Sequence, residues 1–429
     1  MKIIVVGAGP AGLMAAIRAG QLKQEVTLIE KNAFAARKLL LSGKGRCNLT
    51  NTCELNSFLG RFSANGQFLR DAFKKFFHPH LISFFQQRGL KLQAERQQRV
   101  FPQAGRSDSV LEVLKKELTA QKVKVLYKTE VKDILLENKC AKAVALADKK
   151  IIPADKIILA CGGSSYSFTG SDSSGIKLAK KLGHHIVALK PGLVPLVARQ
   201  AYLKSLEGLT LKNIRLKFTP APIAIKHKLN TQLVRGFSYG RQEIVSDIGE
   251  LLFTDFGISG PLVLSLSARV VDWLSENKKV FAEIDLKPAL SEEQLDARLL
   301  REIKAGARKD LQNMFKALLP QRLTGVVLAL LKINPHKKAN QLTLTERRGI
   351  SRLLKGWRLD IAGARPLEEA MVTRGGVSLK EVNPRTMESR LVKGLYFCGE
   401  MLDVDADTGG FNLQAAFSTG YLAGESAGA

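Results

Sequence analysis

The first thirty residues constrain this chain more than any other stretch. Lys2-Ile-Ile-Val-Val-Gly7 is a short, β-branched apolar run, the pattern of a strand buried on both faces of a parallel sheet. It breaks at Gly7-Ala8-Gly9-Pro10-Ala11-Gly12, a G-x-G-x-x-G, and Leu13 to Gly20 then reads as a helix with small residues facing a sheet. A second strand follows from Glu25 to Glu30. In such a turn Gly7 allows the bend, Gly9 lets backbone approach a pyrophosphate, and Gly12 lets the helix lie close on the strand. Pro10 and Ala11 belong to the same cofactor-binding turn, where the helix N-terminus offers free N–H groups to phosphates. Glu30, eighteen residues past Gly12, is placed to accept from ribose hydroxyls. It would repel a 2′-phosphate, so the site favours FAD or NAD over NADP. A lone glycine pattern is weak evidence, with a chance loop as the alternative. Strand, glycines, helix, second strand and terminal acid in that order outweigh it.

At 429 residues the chain is long enough for two or three domains and a large core. Its apolar content of 45 % is ordinary for a soluble protein, and no apolar run is long enough to span a membrane. The apolar N-terminus is used up by the nucleotide motif, so it does not read as a cleavable signal. Cys47, Cys53, Cys140, Cys161 and Cys398 are scattered and odd in number, which suits a reducing cytoplasm rather than a disulfide framework. No Cys or His spacing reads as a metal site. The net charge of +27 implies a polyanionic partner, nucleic acid before an anionic membrane surface. A basic but solvated surface is the bland alternative.

Beyond Glu30 come Lys31, Arg37 and Lys38, then Ser42-Gly43-Lys44-Gly45-Arg46-Cys47-Asn48-Leu-Thr50-Asn51. Gly43 and Gly45 permit a tight backbone. Lys38, Lys44 and Arg46 suit phosphate or an anionic flavin, and Asn48 and Asn51 suit a flavin ring edge. A basic surface turn is the competing reading. The run from Ser42 to Asn51 resembles the signature S-G-x-G-R-C-N-x-T-N of the BaiN/YhiN-type flavoproteins, with Lys44 where that family often has glycine. The resemblance implies an FAD-dependent oxidoreductase of α/β class. Its Rossmann-like FAD-binding domain, of the two-dinucleotide-fold type, would be interrupted by a β-rich, barrel-like insert and a small helical domain. On this chain the expected boundaries are 1–190 plus 367–429 for the FAD domain, 191–290 plus 338–366 for the β-rich insert and 291–337 for the helical insert.

Further segments carry the same resemblance. Lys156 to Gly163 is a strand running into glycines, similar to the A-T-G segment of such flavoproteins with Cys161 in the threonine place, and Gly162 is a candidate cofactor contact. Thr254 to Pro261 matches T-x-x-G-I-S-G-P, a turn opening a helix with Ser259 and Gly260 near a candidate anion site. Gly394-Leu-Tyr-Phe-Cys-Gly399-Glu400-Met-Leu-Asp403 resembles the closing FAD segment. The helix opened by Thr408-Gly-Gly-Phe-Asn412-Leu413-Gln414 would point its N-terminus at the flavin. Val131 and Lys31 complete the candidate cofactor contacts.

Phe73, Phe76, Phe77, Phe84 and Phe85 fall at helical spacing and read as core. His184 and His185 read as lone surface histidines. The stretch from about 191 to 275 alternates like short strands. Within it Lys212, Arg215, Lys217, Lys226, Lys228, Arg235 and Arg241 occur with no acid between 211 and 241, so a cationic sheet face able to track RNA phosphates is expected. From Ser291 to Gly356 the period is helical.

No second G-x-G-x-x-G follows a strand, so NADH or NADPH would serve as a transient reductant in an open flavin cleft. The resemblance implies reduction of a C=C bond, known in that family for bile-acid enones and for uridine of ribosomal RNA. A large basic surface favours the RNA substrate and hence dihydrouridine formation. The alternatives are an enone reductase or oxidase of a small molecule, bile-acid-like or an amine, and a flavin-bearing RNA-binding protein without turnover. Cys47, in the signature loop, is the candidate proton donor, with a buried packing thiol as the equal alternative.

Overall fold

The structure, a computed structural model, describes residues 1–63, 65–221 and 243–429. The described chain divides into two compact units, Met1–Gly192 with Pro366–Ala429, and Leu193–Arg365.

The first unit is built on five parallel strands in the order Leu395–Phe397, Lys156–Leu159, Lys2–Val6, Glu25–Ile29, Lys124–Leu126. Lys2–Val6 lies at the centre, which is why its apolar residues are buried on both faces. The helix Pro10–Gln21 crosses over to Glu25–Ile29, and Asp108–Ala120 leads into the edge strand Lys124–Leu126. Val131–Glu137, Cys140–Leu146 and Ile151–Pro153 form a separate antiparallel sheet.

The last helix, Phe411–Gly428, lies directly on Pro10–Gln21, and this explains its small residues. A Cβ on Gly420 would stand 2.1 Å from the Ala11 carbonyl oxygen, and one on Gly424 would stand 2.3 Å from that of Ala15. The helices thus meet backbone to backbone. Between 55 and 86 the phenylalanines pack inward as their spacing predicts. The Phe58 ring lies 5.2 Å from Phe73 and 4.7 Å from Phe411, both edge-on. His184 departs from the surface reading. It is buried, Nε2 lies 2.8 Å from Ser389 Oγ, and its ring meets Phe397 edge-on. Burial lowers its pKa.

The second unit holds a seven-stranded antiparallel sheet. Thr210–Ala221 pairs with Gly249–Phe253 on one side and with Lys279–Asp285 on the other, which closes the sheet into a barrel. Leu211, Ile214, Leu216 and Phe218 point inward from that strand. The helices Glu292–Ala305, Gln321–Leu330 and Leu344–Lys355 contribute Leu295, Leu323 and Leu354 to the same apolar core as barrel residues Phe218 and Trp357. Helices and barrel therefore share one apolar core within Leu193–Arg365.

Candidate active site

The glycine turn shows how the sequence makes room for a ligand. A Cβ on Gly12 would stand 1.9 Å from the Gly7 carbonyl oxygen, so helix and turn close only with glycine there. Gly9 is the reverse case: a Cβ there would meet nothing within 4 Å. Its backbone is ordinary too, with φ −78°. Neither fold nor strain demands this glycine. What it leaves is an open approach to the start of the helix Pro10–Gln21, which has no side-chain cap. An uncapped helix start beside an open glycine fits the pyrophosphate of a dinucleotide.

Glu30 is buried at the end of the second strand. Its Oε2 accepts from Ala8 N at 2.8 Å, and its Oε1 accepts from Asn32 N at 2.9 Å and Asn32 Nδ2 at 2.7 Å. These donors fix the carboxylate, and Oε2 keeps acceptor capacity beyond its one N–H. Thr129 N donates to the Glu30 carbonyl at 3.0 Å, which brings Val131 into the same neighbourhood. Lys31 pairs with Asp172 at 2.6 Å. Burial alone would raise the Asp172 pKa, but hydrogen bonds from Lys31 and Ser174 and the lysine charge bring it down to about 2.

Lys38 and Glu400, 362 residues apart, meet in a half-buried ion pair. Lys38 Nζ donates to the Glu400 oxygens at 2.7 and 2.9 Å and to Ser165 Oγ at 2.6 Å. Glu400 also accepts from Ser165 Oγ at 2.9 Å and Thr373 N at 2.6 Å. Thr373 Oγ1 accepts from Ser164 N at 2.8 Å and Ser165 N at 3.0 Å. Lys38 and Glu400 thus share one hydrogen-bonded network with Ser165. Gly162, with φ +75°, turns the backbone beside this network, where a Cβ would stand 4.0 Å from Glu400 Oε2. Ser165 and Thr373 were not singled out from the sequence, because a serine and a threonine in loops carry no periodic signal.

The loop 43–47 is strained. Gly43, Lys44, Gly45 and Cys47 all have positive φ, and for Lys44 and Cys47 that conformation is costly. Arg46 pairs with both Glu95 oxygens while its guanidinium lies 4.3 Å from the Phe101 ring centroid. With its amide oxygen turned toward Gly410, Asn48 accepts from Gly410 N at 3.1 Å and donates to the Thr50 carbonyl at 3.2 Å. Asn51 donates to the Gly409 carbonyl at 3.3 Å, and Thr50 Oγ1 to Gln414 Oε1 at 2.6 Å. The signature loop is therefore stitched to the start of the last helix. Asn412 holds that start in turn, accepting from Ala406 N at 3.0 Å and donating to the Ala406 carbonyl at 2.8 Å, with half-buried Leu413 beside it.

Cys47 lies in the apolar core with 0 % exposure. Burial pushes its thiol up to about 12, and a hydrogen bond with Ser42 offsets little of this. That placement fits the packing reading and gives the thiol no open path to a substrate. Cys161 is likewise pushed up to about 12 by burial. Asp403 and Asp407 lie on the segment between Gly399 and the last helix. Burial raises the Asp403 pKa, against the hydrogen bond from Asn65 at 3.0 Å. Burial raises Asp407 to about 6, with Arg61 at 3.7 Å opposing and Asp405 adding to the rise.

Three residues of the expected cationic sheet face, Lys212, Arg215 and Lys217, lie on the strand Thr210–Ala221. Lys212 and Arg215 are exposed, but Lys217 pairs with Glu283 at 2.8 Å, and Arg215 stands opposite Asp285 in the register. The run lacks acids along the chain, yet Glu283 on the adjoining strand supplies one to Lys217, while Asp285 pairs with Lys355 at 2.6 Å. A register shift between Leu211 and Ile214 also breaks the alternation at Lys212. Lys226, Lys228, Arg235 and Arg241 lie outside the described residues. Ser259 is buried in a strand that pairs with Gly249–Phe253, next to the helix Pro261–Ser275. Among the described residues no group of three or more His, Cys, Asp or Glu is placed to hold a metal, and no helix is long and apolar enough to cross a membrane.

The HI0933-like protein Rossmann domain family matches residues 1–426. The chain is 32 % identical over 429 residues to the 3-dehydro-bile acid delta(4,6)-reductase of Clostridium scindens, covering 99 % of this chain and 98 % of that protein. It is 28 % identical over 421 residues to the ribosomal RNA dihydrouridine synthase of Escherichia coli, covering 97 % and 96 %. Among solved structures, 3-ketosteroid delta1-dehydrogenase from Sterolibacterium denitrificans superposes with a TM-score of 0.51 at 11 % identity, covering 99 % of each chain. That likeness is one of fold.

Proposed function

For a chain that belongs to the HI0933-like Rossmann family of FAD-dependent oxidoreductases, we propose reduction of uridine to dihydrouridine in ribosomal RNA. The observation that carries the substrate choice is the net charge of +27, which suits a polyanion and has no use in binding a steroid-like molecule. A relative named as a ribosomal RNA dihydrouridine synthase supports the same reading.

In this proposal the turn Gly7-Ala8-Gly9-Pro10-Ala11-Gly12 receives the FAD pyrophosphate, and Glu30, Lys31 and Val131 surround the adenosine end. Gly162, Gly399, Glu400 and Asp403 border the ribityl chain, with Lys38 holding Glu400 in place. Gly45, Arg46, Asn48, Asn412 and Leu413 shape the flavin end around the start of the last helix. When bound and reduced by NADH or NADPH, FAD would supply hydride chemistry toward the β-carbon of the uracil C=C, with a protein carboxyl giving the proton to the α-carbon. Asp407 holds a proton on its carboxyl much nearer to neutral pH than an ordinary aspartate. Asp407 lies on the segment leading into the last helix and is the donor proposed in preference to the core thiol of Cys47. The target base must leave its stack to reach such a site.

The test is nucleoside mass spectrometry of ribosomal RNA from cells with and without the protein. Loss of one dihydrouridine on deletion, restored by the intact gene, is expected; unchanged dihydrouridine overturns the RNA substrate. The second reading, enone reduction, is favoured by the 32 % identity to the bile-acid enzyme. It predicts turnover of a small enone without RNA. RNA binding with no flavin turnover in either assay would leave the non-enzymatic alternative.

A further inference from the structure

Two exposed aromatic rings, Phe34 and Phe168, sit on loops that Asn32 links at the carboxyl end of the parallel sheet. Of the large apolar side chains exposed among the described residues, only Phe34, at 48 %, and Phe168, at 62 %, are aromatic. They come from different loops, and Asn32 joins those loops. Its Oδ1 accepts from Arg37 Nη1 at 2.9 Å, and its Nδ2 donates to the Thr169 carbonyl at 3.3 Å. Its own carbonyl accepts from Lys128 N at 3.0 Å. Three loops thus converge there, after Glu25–Ile29, Lys124–Leu126 and Lys156–Leu159. These are the carboxyl ends of parallel strands, where open sheets bind ligands.

The surroundings are those of a nucleic-acid contact. Arg37 lies with its guanidinium carbon 5.5 Å from the Phe34 ring centroid. Lys128 is exposed. Asp172, the acid beside them, is neutralised by Lys31 at 2.6 Å. The Tyr166 ring lies 5.7 Å from Phe168, and Tyr166 is held at φ 48°. Left-handed backbone in a bulky aromatic is a genuine outlier, and such strain gathers at binding sites. Lys128, at φ 52°, shares it. Packing does not account for rings turned into water on strained loops.

We propose that Phe34 and Phe168, flanked by Arg37 and Lys128, form a stacking platform for unpaired bases of the RNA. The proposal rests on the RNA reading above. It assigns the non-ionic part of RNA binding to this unit, because an aromatic face serves any base while the cations meet the adjoining phosphates.

The probe is a fluorescein-labelled, uridine-rich single-stranded RNA, bound to the flavin-loaded protein and followed by anisotropy across a salt series. Phe34→Ala with Phe168→Ala should weaken binding about 5- to 100-fold, with flavin content unchanged. The salt slope should stay the same, since stacking releases no counterions. Phe34→Leu with Phe168→Leu, which keeps apolar area without a π face, should weaken binding as well. Unaltered affinity in the alanine variant overturns the platform but leaves the RNA reading standing. No binding by the parent protein overturns both. Full affinity in the leucine variant overturns stacking. Lost flavin or slowed reduction by NADPH, with RNA affinity intact, assigns the rings to a dinucleotide and overturns the proposal.

Discussion

Lys38 and Lys217 each pair with a glutamate, at 2.7 and 2.8 Å, yet they do different work. Lys38 and Glu400 are 22 % and 21 % exposed, come from opposite ends of the chain, and share Ser165 and Thr373 as further partners. Lys217 and Glu283 sit more openly on neighbouring barrel strands, at 32 % and 42 %. The first pair holds two loops of the parallel-sheet unit in one geometry. The second cancels charge on a surface. A cation read from sequence is therefore a weak guide to function until its neighbours across the fold are known.

The contrast can be broken most directly at the glycine turn. Gly12→Ala should abolish stable folding of the parallel-sheet unit or its flavin content, because the added carbon overlaps the Gly7 carbonyl. Gly9→Ala, with nothing within 4 Å, should leave the melting temperature within about 2 °C while flavin content falls at least tenfold. Retained flavin in Gly9→Ala would remove the ligand reading of that open face. Next in size is Thr373→Val. It strips the acceptor from two buried N–H groups and should cost about 2–4 kcal/mol in urea unfolding. A loss near zero would mean that the network around Glu400 does not stabilise the site.

Asp407 offers a pH handle. Its folded pKa of about 6 lies above the unfolded value near 4, so the native state binds the proton more tightly. Its stabilising contribution is present below about pH 4 and is lost as pH rises through about 6. Asp407→Asn should gain melting temperature relative to the parent between pH 4 and 7.5, and a constant difference across that range would contradict the raised pKa. The smallest effect is expected at the barrel. Lys217→Ala should change stability by about 0.5 kcal/mol and RNA affinity by less than about twofold, since Glu283 already neutralises that lysine. A large loss of RNA affinity would restore the strand as an RNA track.

Much of the parallel-sheet unit was legible because its chemistry is written in backbone requirements. Gly7, Gly12 and the apolar run before them have one structural use, and contiguous residues report it. The barrel was legible as alternation in Leu211 to Phe218, although its closure was not, since strand pairing across long separations leaves no local mark. Side-chain commitments were hidden for the same reason. That Lys38 pairs with Glu400, and Arg46 with Glu95, is visible only in the fold. Cys47 stands in a signature loop, but only packing reveals a core thiol. Phe34 and Phe168 looked unremarkable in sequence because exposure is a property of the fold.

In the proposed reaction, reduced flavin passes a hydride to uridine in RNA. The most direct measurement is anaerobic. The flavin-loaded protein is reduced with NADPH, cleared of excess nucleotide, and mixed with protein-free ribosomal RNA or with a steroid enone, while the visible flavin band is followed. Reoxidation by RNA together with newly formed dihydrouridine, and none by the enone, is the predicted result. Reoxidation by the enone alone would contradict the account and assign the protein to small-molecule reduction.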